Sequence, residues 1–290
     1  LTIDQELKEV IIQRQKLQRN AVAISGALLF LMAIGMLNRY RYVRKTKRII
    51  EYEKDRSDQL LLNILPQETA EELKERGSAT PKHYDMVSVL FTDFKGFTKI
   101  AEKLSPQELV AELDQCFHQF DKIIDKYGLE KIKTIGDAYM CAGGIPVANT
   151  TNTVDVVGSA LEIREYMEQL KNQRLSEGKD HWELRIGIHT GSVIAGVVGK
   201  NKFAYDIWGD SVNTASRMES SGIPGKVNIS ENTYELIKDQ FKCTYRGQIE
   251  AKNKGEIDMY IVESLADTYI EPPRNAALPE KEKELQANQN

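Results

Sequence analysis

Met86-Val87-Ser88-Val89-Leu90-Phe91-Thr92-Asp93-Phe94-Lys95-Gly96-Phe97-Thr98 passes from a largely apolar run to an acid, a glycine and an aromatic. The apolar run predicts a buried strand over 86–91 that ends at Thr92-Asp93. Gly96 then supplies a turn into a helix, whose first backbone N–H groups have no helical acceptor and can meet phosphate oxygens. An Asp at a strand end can hold a cation, and it is equally an ordinary turn residue.

Working outward, Ser105-Pro106 predicts the cap of a helix reaching about residue 127. Residues 129–135 and 138–142 read as two strands joined at Gly136-Asp137, and 152–174 as a helix. Residues 184–189 and 193–197 read as a second hairpin turning at Thr190-Gly191-Ser192. A strand over 203–208 and a helix over 211–220 follow. Helices and hairpins intermix without strict βαβ alternation, so the fold class is α+β.

Upstream, residues 21–37 are 17 uncharged residues, at the short end of what spans a bilayer. Tyr40, Tyr42 and six cations between Arg39 and Arg48 follow them. Interfacial tyrosines and then basic residues describe a stop-transfer anchor with its C-terminal side in the cytoplasm; a signal peptide would instead show a small-residue cleavage site. The expected organisation is an amphipathic helix over 1–19, a transmembrane helix over 20–38, and a basic juxtamembrane segment with a signalling coiled coil over 39–81. A catalytic domain over 82–264 and a disordered tail over 265–290 complete it. Leu60, Leu61, Leu62, Ile64 and Leu65 cluster before Pro66, where a second helix is expected to restart. The chain starts without Met, and residues 1–19 look like the tail of an upstream sensor.

The net charge of −4 hides an asymmetry. Residues 1–58 carry 12 Lys/Arg against 7 Asp/Glu, a net of +5, which leaves −9 for the remainder. A basic block beside an acidic domain suits membrane lipid, and the acidic domain argues against nucleic acid as a partner. Three widely spaced cysteines without a CxxC read as free thiols, and four histidines without an HxxxH disfavour zinc.

Two further stretches carry chemistry. Lys131-Ile132-Lys133-Thr134-Ile135-Gly136-Asp137 puts an acid in a hairpin turn, where it could join Asp93 in a two-carboxylate site for Mg²⁺ or serve as a turn former. Tyr205-Asp206-Ile207-Trp208-Gly209-Asp210-Ser211-Val212-Asn213-Thr214-Ala215-Ser216-Arg217 puts Asn213 and Arg217 four apart on one helix face. An amide beside a guanidinium suits the charge that develops on a pentacoordinate phosphate; a solvated face is the plain alternative.

Together, in this order and spacing, these stretches resemble the catalytic domain of class III nucleotidyl cyclases over roughly residues 82–264. The resemblance implies a ferredoxin-like palm with a βαββαβ core and two metal ions, Mg²⁺ or Mn²⁺, per active site. It implies that Asp93, Asp137 and the Phe94 carbonyl hold the metals. It also implies that the backbone amides of Phe97 and Thr98 bind phosphates, as does Lys252, and that Asn213 and Arg217 stabilise the transition state. Family members that use adenine carry a Lys and an Asp where this chain has Lys133 and Asp206; guanylyl cyclases carry Glu and Cys. Adenine offers N1 as acceptor to Lys and its amino group as donor to Asp, whereas guanine reverses both edges. The implied activity is therefore conversion of ATP to cyclic AMP and pyrophosphate, in an inner-membrane protein with a cytoplasmic catalytic domain. Family sites lie between two head-to-tail domains; this chain carries both residue sets, so a homodimer is implied. A guanylyl cyclase and an inactive receptor dimerisation module remain the alternatives. A diguanylate cyclase would need a GGDEF-like run, which the sequence lacks.

Overall fold

The computed structural model describes residues 2–199, 202–251 and 255–266. They fall into two compact units, one ending at residue 63 and one beginning at residue 64.

The first unit is one helix, α1 (Thr2–Leu62), of 61 residues. At about 1.5 Å per residue it is about 90 Å long. It is long and apolar enough to cross a membrane, with a mean hydropathy of 2.1 over an 18-residue stretch, none of it buried. The expected segments 1–19 and 20–38, from residue 2, and the 39–81 segment as far as Leu62 are thus stretches of one unbroken element, because helical hydrogen bonds are local and indifferent to a change from apolar to basic side chains.

The second unit opens with α2 (Gln67–Arg76), which starts after Pro66 as expected and closes on the left-handed Gly77. Next come β1 (Lys82–Lys95), α3 (Phe97–Ala101), α4 (Pro106–Lys126), β2 (Glu130–Ile135), β3 (Ala138–Gly143), α5 (Asn152–Ser176) and β4 (Glu183–Val198). A capping box fixes the start of α4: the Glu108 backbone N–H donates to the Ser105 hydroxyl, and Glu108 accepts from the Ser105 backbone. The chain continues through β5 (Ala204–Trp208), α6 (Asp210–Ser220), β6 (Val227–Ser230), α7 (Glu231–Ile237), β7 (Phe241–Ala251) and β8 (Gly255–Leu265).

The strands run β2-β3-β1-β4-β6-β8-β7, with β5 paired to β4 as well. Within that order β2-β3-β1-β4 is antiparallel throughout, the arrangement of a βαββαβ palm. β4 pairs β6 in parallel, and the β7–β8 hairpin closes the far edge.

Residues 184–197 are not a hairpin. β4 continues straight through the expected turn, with Ser88 opposite Thr190 and Val87 opposite Gly191.

Strand alternation sends Leu90, Phe94, Ile186 and Ile188 to one face, where they pack with Phe120, Ile124, Val156 and Ile163 of α4 and α5. α6 covers the opposite face. It crosses at Gly187, where a Cβ would collide with the backbone nitrogen of Glu219. Only glycine lets helix and strand backbones approach that closely. Asp93 and Arg185 lie opposite each other, in alternation with Phe91 and Gly187, and so belong to the α6 face.

Candidate functional site

Asp93 stands near the end of β1, and Gly96 (φ +70°) turns the chain into α3. The Phe97 ring stacks on Trp182 with centroids 5.4 Å apart, and Phe94 packs on the same indole at 5.5 Å. These contacts fix the turn, so the N–H groups of Phe97 and Thr98 open the helix at a defined place beside Asp93.

Asp137, in the turn between β2 and β3, meets Asp93 there. Burial first, then the Asp93 carboxylate, raises the Asp137 carboxyl above its ordinary range, while hydrogen bonds from its own and the Phe94 backbone N–H work against the rise. The two acids are thus brought together, with the Phe94 backbone N–H donating to Asp137. Arg185 lies on the same spot: its Nη2 is 2.5 Å from Asp93 Oδ2 and its Nε is 2.8 Å from Glu219 Oε1. Glu219 is buried, and its carboxyl is pushed up to about 7; burial is the largest cause, the Arg185 charge opposes it, and Asp93 and Asp137 add to it.

Two carboxylates, Asp93 and Glu219, therefore meet one guanidinium, and Asp137 lies close enough to act on both acids. The donors are hard carboxylate and carbonyl oxygens, the chemistry that suits Mg²⁺ or Mn²⁺. Asp93, Asp137 and the Phe94 carbonyl are the groups that could hold such an ion.

A second cluster lies on β2 and β5. Lys133 Nζ donates to Asp206 Oδ2 at 2.5 Å, and Asp206 Oδ1 accepts the Ile207 N–H at 2.9 Å. Ile135, Ile194, Val198 and Trp208, on the same hairpin and strands, are exposed large apolar side chains.

The third group is on α6. Ser211 donates to the Ser192 carbonyl at 2.8 Å, which seats the helix start on β4. Asn213 is exposed, and Arg217 Nη1 donates to the Glu250 carbonyl at 3.2 Å. Lys252 lies outside the described residues; the chain leading to it passes Arg217 at Glu250. Arg217 and Glu219 are two apart, about 200° round the helix, so they face different ways. Glu219 faces the acidic cluster, and the Asn213–Arg217 face points away from it.

No motif marks Arg185 or Glu219 in the sequence. A signal for Arg185 exists all the same: a charge inside the apolar strand run Leu184-Arg185-Ile186-Gly187-Ile188 demands a carboxylate partner.

The profile of the family described as "Adenylate and Guanylate cyclase catalytic domain" matches residues 79–264. An adenylate cyclase of Mycobacterium tuberculosis is 42% identical over 216 residues, 74% of this chain and 48% of that protein. Human guanylyl cyclase C is 36% identical over 249 residues, 84% of this chain and 23% of that protein. The structure of the adenylyl cyclase CyaB from P. aeruginosa superposes with a TM-score of 0.62 at 32% identity, covering 66% of this chain and all of CyaB. The chain spans about half the length, or less, of these curated relatives.

Proposed function

The chain belongs to the adenylate and guanylate cyclase catalytic-domain family, and on that premise we propose that it converts ATP to 3′,5′-cyclic AMP and pyrophosphate at sites shared by two copies in a head-to-tail dimer. The observation that carries the adenine preference is the Lys133–Asp206 pair. Held together in one chain, a donor and an acceptor present the complement of the adenine edge. For guanine each would face a like group, at a cost of about 1–3 kcal/mol per lost hydrogen bond.

In this reading the acidic cluster takes the triphosphate end of the nucleotide. Asp93, Asp137 and the Phe94 carbonyl would hold two divalent ions, which lower the pKa of the ribose 3′-hydroxyl and offset charge on the leaving pyrophosphate. The amides of Phe97 and Thr98, together with Lys252, bind phosphate oxygens. Asn213 and Arg217 stabilise the charge that builds on the α-phosphorus as the 3′-oxygen attacks and the bond to pyrophosphate breaks.

The orientation of α6 supports the shared site. Its Asn213–Arg217 face turns away from the Asp93–Asp137 pair of the same chain, so one copy presents the acids and the other presents the base-reading and phosphorus-stabilising groups. The exposed apolar side chains around Asp206 offer a face for that second copy. A C2 pair would contain two equivalent sites.

We further propose that α1 crosses the inner membrane, with the cations that follow residue 37 on the cytoplasmic side. Movement of this helix would then shift the two halves of each site, under the control of an upstream sensor.

The test is product formation by the full chain in membranes with ATP and GTP side by side. Cyclic AMP should dominate, and Lys133→Glu with Asp206→Cys should move the preference toward GTP. Cyclic GMP as the main product of the unaltered chain would refute the adenine reading.

A further inference from the structure

The Arg185 guanidinium reaches two carboxylates with the same edge of its fork. Nη2 meets Asp93 and Nε meets Glu219. That edge is shaped to hold a single carboxylate with both nitrogens. We propose that Glu219 is a positioning residue: it is the second seat to which Arg185 moves, so that Asp93 is released to bind a divalent cation. This rests on the cyclase reading and concerns how its acidic cluster is made available.

Four observations support the exchange. First, Arg185 as found neutralises one of the two acids proposed to hold the ion, so it has to leave Asp93 or weaken it. Second, the Nε–Oε1 contact is at ion-pair distance without hydrogen-bond geometry, and neither atom has another hydrogen-bond partner among the described residues. A small swing about the Arg185 side chain would turn it into a two-nitrogen contact.

Third, the seat is anchored by packing and a hydrogen bond. Glu219 rides on α6 where the helix backbone lies against Gly187, and Asn228 Nδ2 donates to the neighbouring Met218 carbonyl at 2.7 Å. Fourth, Glu219 is only 8% exposed, and a buried carboxylate that close to Asp93 and Asp137 is costly without a cation. The exchange leaves each acid with a cation: Glu219 takes Arg185, and Asp93 is free for the metal.

The experiment uses the full chain in lipid nanodiscs, with Mn²⁺ as probe and no nucleotide; free Mn²⁺ is read by electron paramagnetic resonance. The unaltered chain should bind Mn²⁺, and Asp93→Ala should abolish it. Glu219→Gln should weaken binding about tenfold, the scale expected of a group acting behind a metal ligand. In an Arg185→Gln background the same Glu219→Gln change should have no further effect, since there is no guanidinium left to seat. An equal loss in both backgrounds would mean that Glu219 acts by charge or packing alone and would overturn the proposal, as would no loss in either.

Should Glu219→Gln fail to fold, Glu219→Asp, one methylene shorter, is read in the same two backgrounds with the same expectation. An unaltered chain that binds no Mn²⁺ through Asp93 would instead strike the cyclase reading of the acidic pair. That failure is thereby distinct from unchanged binding in Glu219→Gln.

Discussion

Two ion pairs of equal length mark the two clusters that the chain brings to the candidate site. Arg185 meets Asp93 at 2.5 Å, and Lys133 meets Asp206 at 2.5 Å. Their surroundings differ. Arg185 meets both Asp93 and Glu219, and Asp137 acts on each of those acids, so acids outnumber the cation, and burial lifts the carboxyls of Asp137 and Glu219. Around Lys133 the charge balances one to one, and the remaining Asp206 oxygen is satisfied by a backbone N–H. Surplus negative charge suits a cation-bearing triphosphate, whereas a balanced donor and acceptor suit an uncharged base. An ion pair's length therefore says less about its function than the charge left over around it.

The comparison breaks most severely at the acidic end. Asp93→Asn keeps the shape and removes the charge; turnover should fall by about 10²–10³-fold with the fold intact by circular dichroism. Turnover within tenfold of the unaltered chain would show that the surplus charge has no role in catalysis. At the balanced end, Lys133→Glu with Asp206→Cys should lower kcat/KM for ATP by about 10–10²-fold while GTP turnover rises. Equal losses for both nucleotides would mean that the pair holds the hairpin in place and does not read the base.

A smaller effect sharpens how α6 ties into the acidic end. Gly187→Ala forces a methyl against the Glu219 backbone and should cost about 1–3 kcal/mol in denaturant unfolding. An unchanged midpoint would show that α6 can lift off β4 freely.

The smallest effect separates burial from function. Glu130, half-buried on β2 three residues before Lys133, has its carboxyl raised to about 7 by burial and then by the Asp125 charge. The folded chain keeps that proton up to about pH 7, whereas the unfolded chain releases it near 4.5. Stability should therefore fall as pH rises between those values. Glu130→Gln should flatten that slope and gain about 1 kcal/mol at pH 8, allowing for solvent screening, with kcat unchanged. A steeper slope in the variant would contradict the sign.

Much of this was legible in the sequence, for identifiable reasons. The Ser105 cap and the Gly136-Asp137 turn rest on local chemistry and stand where expected, while the buried strand starts earlier than expected and runs through Asp93 to Lys95, because its pairing with β4 continues past the acid. The turn expected in β4 rests on Gly191, a residue type common in turns, and the strand runs through it. Its glycine instead answers to Ser211, whose hydroxyl would lie 2.5 Å from a Cβ there, so the cause is a helix packed across the strand and not a bend. The sheet edge from β6 to β8 has no local signature, since its pairing is set by partners distant in sequence. Asp93, Asp137, Asn213 and Arg217 could be picked out by motif, but the direction each faces could not. That direction depends on α6 crossing the sheet, and so do the contacts of Arg185 and Glu219.

The shared site can be tested by mixing two inactive chains, Asp93→Ala and Arg217→Ala, in one membrane preparation and assaying cyclic AMP. Each mixed pair would hold one intact site and one doubly damaged site. With random pairing at equal amounts, activity should recover to about one quarter of the unaltered protein. Activity no greater than the sum of the two variants alone, with mixed pairs shown to form by cross-linking, would contradict a site built from both copies.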